Sequence, residues 1–133
     1  MSFCKIPFHG LNLRNDGTIR TCCSSIGQMS GIRDNTDVPI NITDTDSLNK
    51  AFNSDELKKL RLAMLSNDDT GYKNHCKHCM HQESLGINSV RTKHNKFYRD
   101  SEPIVLKDGS MSIKDLKMLD VRLDTICDQA CIM

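Results

Sequence analysis

Apolar and polar positions divide the chain into a short alternating stretch, a long polar interval, two helical stripes and a second alternating stretch. Leu11 and Leu13 alternate with polar neighbours, then Asn15-Asp16-Gly17 precedes Thr18-Ile19-Arg20-Thr21, which leads back toward Cys22. That order predicts a β-hairpin over residues 8–22, because Asn, Asp and Gly tolerate the backbone angles a tight turn demands. Residues 24–50 are rich in Ser, Asn, Asp and Thr and keep no period. They predict a long loop with a short extended piece at 38–42 and a helical turn near 47–52.

Leu57, Leu60 and Met64 recur at helical spacing, flanked by Ala63 and Leu65. Asn53 or Ser54 can cap this helix, and Asp55 and Glu56 sit where its dipole favours anions. Lys58, Lys59 and Arg61 are expected to face water, and Asp68, Asp69 and Gly71 to end the helix. A second helix is expected from Cys79 onward, broken or bent near Gly86. Its apolar face would carry Ile87, Val90, His94 and Phe97, and its solvated basic side Arg91, Lys93, Lys96 and Arg99. Pro103 and Gly109 make residues 99–116 a linker, and residues 116–123 alternate into a strand with 124–133 as the following loop. The pattern predicts an α+β chain: a module of hairpin and helices over 1–98, the linker 99–116, and the first strand of a new domain in 117–133.

Composition changes the picture in two ways. With 38% apolar and 5% aromatic residues and no Trp, such a module buries a modest core and gains from a staple. The 18 Lys and Arg against 17 Asp and Glu give no general attraction to nucleic acid or to an anionic membrane. No apolar leader or membrane-length run is present, so a cytoplasmic setting with reduced thiols is expected. Seven cysteines in that setting point to metal or cluster ligation rather than disulfides, and the odd number would leave one unpaired.

Cys76 and Cys79, as C-x-x-C, can share one centre, and Cys4 and Cys22 at the edges of extended segments complete a set of four. Cys23 projects to the opposite face of a strand from Cys22; it reads as a small buried hydrophobe, with ligation in place of Cys22 as the alternative. Spacing alone serves Zn²⁺ and a [4Fe–4S] cluster equally. His75, His78 and His81 could replace a cysteine on zinc but read as exposed polar residues. His9 could donate to a ligating sulfur but reads as a surface residue. Cys127 and Cys131, in the last seven residues, read as the start of a different site.

A strand followed by Cys127-x3-Cys131-Ile132-Met133 is similar to the C-x3-C-x2-C cluster loop of radical S-adenosylmethionine (SAM) enzymes, with the third cysteine expected directly after Met133. Residues 1–98 resemble a SPASM or twitch auxiliary-cluster domain. The resemblance rests on Phe3-Cys4 with Pro7-Phe8, the hairpin from Asp16 to Cys22-Cys23, and Ser47-Leu48 with Phe52-Asn53-Ser54. It continues through Leu57, Leu60-Arg61 and Cys76-x-x-Cys79, followed by Glu83, Gly86, Ser89 and Arg91. The loop at 24–46 departs from it, lacking the usual Gly-Asn-Leu after the cysteine pair.

The resemblance implies a closed auxiliary [4Fe–4S] cluster on Cys4, Cys22, Cys76 and Cys79, and a second cluster with SAM at Cys127 and Cys131. It implies a parent radical SAM enzyme whose partial (β/α) barrel begins with the strand at 117–123, and a chain that stops inside the second motif and catalyses nothing alone. A flavodoxin or ferredoxin would donate electrons to that parent, whose substrate would be a peptide or small molecule. The competing expectation is a small Cys4 zinc module that binds a protein or nucleic acid through its basic helix.

Overall fold

The computed structural model describes residues 3–25 and 31–123, so Cys127, Cys131 and the expected loop at 124–133 lie outside the described residues. Helix α1 (Ile6–His9) carries Pro7 in its first turn, where a missing N–H costs nothing, and runs directly into strand β1 (Gly10–Leu13). The expected hairpin forms: β1 pairs antiparallel with β2 (Ile19–Arg20), placing Asn12 opposite Arg20 and Leu13 opposite Ile19. Asp16 closes the turn by accepting from the Thr18 amide and hydroxyl, and Gly17 takes φ +84°. Strand β3 (Met118–Val121) lies parallel to β1, Gly10 facing Met118 and Leu13 facing Val121, so the sheet order is β2-β1-β3.

The long polar interval is fastened rather than loose in its described part. Ile32 and Ile40 are buried; Ile32 donates its amide to the Ile19 carbonyl at 2.7 Å and accepts from the Ile40 amide at 2.9 Å. The expected extended piece at 38–42 is present only as two isolated bridges, Arg33 with Pro39 and Thr18 with Asn41. Helix α2 (Ser47–Phe52) and helix α3 (Asp55–Leu65) follow the sequence expectation, and Ser54 rather than Asn53 caps α3 by accepting from the Leu57 amide at 3.3 Å.

Arg61 overturns its expected place in water. It is fully buried, donating from Nε to the Pro7 carbonyl at 2.8 Å and from Nη1 to the Gly109 carbonyl at 3.1 Å. Its guanidinium lies 4.3 Å from the Phe52 ring centroid. The physical reason is position: Arg61 stands one turn after Leu57 and beside Leu60, on the face that packs inward.

The second helix begins ten residues earlier than expected. Helix α4 (Asp69–Ser84) is capped by Asp68, whose carboxylate accepts from the Thr70 amide at 3.1 Å, so the acidic pair starts a helix instead of ending one. Gly71 lies inside α4, where an added Cβ would stand 2.5 Å from the Ala63 Cβ, and it permits close approach of α3 and α4. The break near Gly86 occurs as expected, at φ +73°, and helix α5 (Val90–Phe97) starts anew with Ser89 as its cap. Its expected apolar face packs only in part: Val90 lies against the core and His94 is half-buried, but Ile87 and Phe97 are 52% and 80% exposed, while Arg91 from the expected solvated side is buried.

Residues 99–116 lack strand and hold a turn at 106–110 and a 3-10 turn at Ile113–Asp115, yet they are pinned to the module. Met111 is buried and exchanges hydrogen bonds with the Asn53 side chain, both at 2.9 Å. The Lys117 amide donates to the His9 carbonyl at 2.8 Å, which leads the chain into β3.

Candidate metal centre

Three separated segments carry the candidate thiols. Cys4 precedes α1 in a segment clamped from both sides by Asn95 of α5, which accepts from the Lys5 amide and donates to the Phe3 carbonyl, each at 2.8 Å. Lys5 then donates from Nζ to the carbonyls of Tyr98, Arg99 and Ser101 beyond the C-terminal end of α5, where a cation is favoured. Cys22 follows β2 and is held in a turn by the Ser25 amide, which donates to its carbonyl at 3.3 Å. Cys76 and Cys79 are three residues apart on α4, not in a loop, so both sulfurs project from one helix face. Cys4 and Cys79 are buried, Cys22 and Cys76 half-buried, and all four are free thiols.

Each of these thiols lies close enough to the others to influence their titration. Burial pushes the Cys4 thiol far up, and the charges of Cys22, Cys76 and Cys79 push it further. Burial takes Cys22 to about 12, with Cys23, Cys79 and Cys76 adding to the rise. Burial takes Cys76 to about 11, against a lowering by Arg91 and with further rises from Cys79 and Glu83. Thiols in such surroundings are protonated when bare, and a metal centre that bound them would have to displace the protons.

Cys23 departs from its expected burial: it is exposed, with its sulfur 3.8 Å from the Ser24 hydroxyl. A cleft of about 510 Å³ opens beside it, lined by Leu11, Cys22, Val90, His94 and Met118 among others. The nearby histidines are otherwise engaged or exposed. His75 lies 3.6 Å from Glu56 and 3.4 Å from the Ser25 hydroxyl, while His78 and His81 are exposed as expected. His9 is buried, contrary to its surface reading, with Nε2 at 3.1 Å from the Ser101 hydroxyl and its ring against Tyr98. Burial lowers its pKa.

Two residues absent from the ligand reasoning complete this corner. Glu83, near the end of α4, accepts from Arg91 Nε at 3.0 Å and from Arg91 Nη2, and also from the Ser89 hydroxyl. Hydrogen bonding from Arg91 lowers the Glu83 pKa despite partial burial. At Arg91 burial opposes the charge, but the Glu83 hydrogen bonds and charge outweigh it, with Cys4 and Cys76 acting in the same direction. Arg91 Nη1 is buried with no hydrogen-bond partner among the described residues. The signal for Arg91 lay in the motif order Glu83, Gly86, Ser89, Arg91, but helical periodicity assigned it to solvent.

Four thiols and an orphaned buried N–H suit an anionic, sulfur-ligated group. Among the described residues, no three His, Cys, Asp or Glu side chains gather closely enough to hold one metal ion. No helix of the described chain is long and apolar enough to cross a membrane. A family model described as the SPASM iron–sulfur cluster-binding domain matches residues 4–80, starting on Cys4 and ending one residue after Cys79. No curated protein and no solved structure gives a significant match.

Proposed function

Because the chain belongs to the SPASM family of iron–sulfur cluster-binding domains, we propose that Cys4, Cys22, Cys76 and Cys79 together ligate one [4Fe–4S] cluster. The observation that carries this reading is the match of the cluster-binding family model to residues 4–80, a span that contains all four of these thiols, brought from before α1, after β2 and within α4. Exposed Cys23 takes no part in this ligation.

When bound, the cluster supplies one-electron chemistry. The chain's own part is to hold four thiolates in place, exclude water with the packing of Ile6, Leu11 and Tyr72, and keep Cys4 fixed through Asn95 and Lys5.

The parent, in this reading, is a radical SAM enzyme acting on a peptide or small molecule, with flavodoxin or ferredoxin as electron donor. Cys127 and Cys131 then supply two of the three cysteines of its SAM-binding cluster. In this reading β3 is the first strand of a partial (β/α) barrel that follows the connector at 99–116, while its partner among the described residues is β1 of the module.

Anaerobic reconstitution tests the ligation. About four irons and four acid-labile sulfides per chain, with brown absorbance lost in Cys76→Ala and retained in Cys23→Ala, are expected. One tightly bound zinc without sulfide would overturn the cluster reading in favour of a zinc module.

A further inference from the structure

The ligand set does not account for the ion pair beside it. Arg91 is 5% exposed and reaches Glu83 through Nε and Nη2, leaving Nη1 buried and unpartnered among the described residues. A pair that merely tied α4 to α5 would have no use for a third desolvated donor, which is costly to leave unmet. Arg91 and Asn95 stand one turn apart on α5, and Asn95 grips the backbone on both sides of Cys4. Arg91 therefore rises from the same face of α5 that holds Cys4.

We propose that Arg91 is a positioning residue that turns its free Nη1 edge to the Cys4–Cys76 side of the cluster and raises the cluster's reduction potential, with Glu83 as the opposing charge that sets how far. This rests on the cluster reading above. One-electron reduction makes a thiolate-ligated cluster more negative by one charge, and a fixed cation in a low-dielectric corner favours the reduced form. Glu83, four residues after Cys79 on α4, acts in the opposite sense and limits the effect. Ser89 fixes the carboxylate end of the pair in turn.

The test is a redox titration of the full 133-residue chain with mediators, after iron and sulfide have been assayed. Arg91→Met should lower the reduced-to-oxidised ratio at fixed potential at least tenfold, about 59 mV for a one-electron couple. Glu83→Gln should move it upward, and Arg91→Lys should recover part of the loss. Equal potentials in all loaded variants would overturn the proposal, and so would shifts of the same sign in Arg91→Met and Glu83→Gln, the mark of general loosening. Should Arg91→Met fail to load, the sign of the Glu83→Gln shift decides. A wild-type chain without iron and sulfide would remove the ligation reading itself, and the assay reveals that before any potential is measured.

Discussion

Arg61 and Arg91 are both buried helical arginines, and their surroundings solve the burial of a cation in opposite ways. Arg61 has neutral partners only: two backbone carbonyls and the face of Phe52. Desolvation with no carboxylate to offset it lowers its pKa to about 10, still charged at neutral pH. Arg91 has Glu83 and faces thiols, and its pKa is held above the ordinary value in spite of burial. The first arginine ties distant backbone together, joining α3 to the end of α1 and to the connector at Gly109. The second belongs to an electrostatic unit whose members lie on α4 and α5. A buried cation is thus held by carbonyls and an aromatic face in one place and by a carboxylate in the other.

The comparison breaks most visibly at Arg61. Arg61→Met should cost about 3 kcal/mol or more in urea unfolding, because it strands the Pro7 and Gly109 carbonyls without a donor. No single partner change should recover it; recovery by one would show that Arg61 is a charge pair like Arg91. At the other site, Glu83→Gln should cost the cluster-free chain about 2 kcal/mol, since Arg91 then stays buried without its carboxylate. Adding Arg91→Met should return roughly half of that loss, and a double-mutant cycle measures the coupling. Additive losses would mean that the pair contributes only packing.

Smaller effects test whether the two regions are mechanically linked. Gly71→Ala should destabilise by about 1–2 kcal/mol although Ala is the better helix former, because its Cβ would crowd Ala63. It should also reduce iron loading, since displacement of α4 from α3 moves Cys76 and Cys79 together. Ala63→Gly in the same chain should restore loading if crowding is the cause.

The smallest effect concerns His9, two residues after the Pro7 acceptor of Arg61. Its pKa is lowered by burial, with Lys117 and Lys5 acting in the same direction and Asp115 opposing them. A lowered folded pKa means that the unfolded chain takes up the proton first as pH falls, so stability is full above the ordinary value of 6.5 and is lost below it. Between pH 7.5 and 5.5 the thermal midpoint should fall by roughly 1–3 °C more in the wild type than in His9→Gln. An identical slope in both would place the pH dependence elsewhere.

The hairpin was legible because alternation and an Asn-Asp-Gly turn are local signals, and α3 because its cap, first-turn acids and apolar stripe agree. Helix α4 was not, because its inward stripe is Tyr72, Cys76, Cys79 and Glu83, spaced four, three and four, and a hydropathy reading sees little there. Counted as buried, the two cysteines and the tyrosine complete a helical face. Arg91 and Asn95 hide a second face in the same way, one turn apart and polar throughout.

The sequence by itself determined the inventory of this protein: seven cysteines with one C-x-x-C pair, a tight hairpin, one well-capped helix and a motif order that belongs to a cluster-binding family. Only the tertiary structure decided which polar groups go inside. Arg61 is buried because Pro7 and Gly109 supply carbonyls from positions 54 and 48 residues away, and Cys4 is fixed because Asn95 reaches it across 91. Turn and helix signals act over a few residues, whereas burial of a polar side chain depends on partners that only the folded chain brings within hydrogen-bond reach.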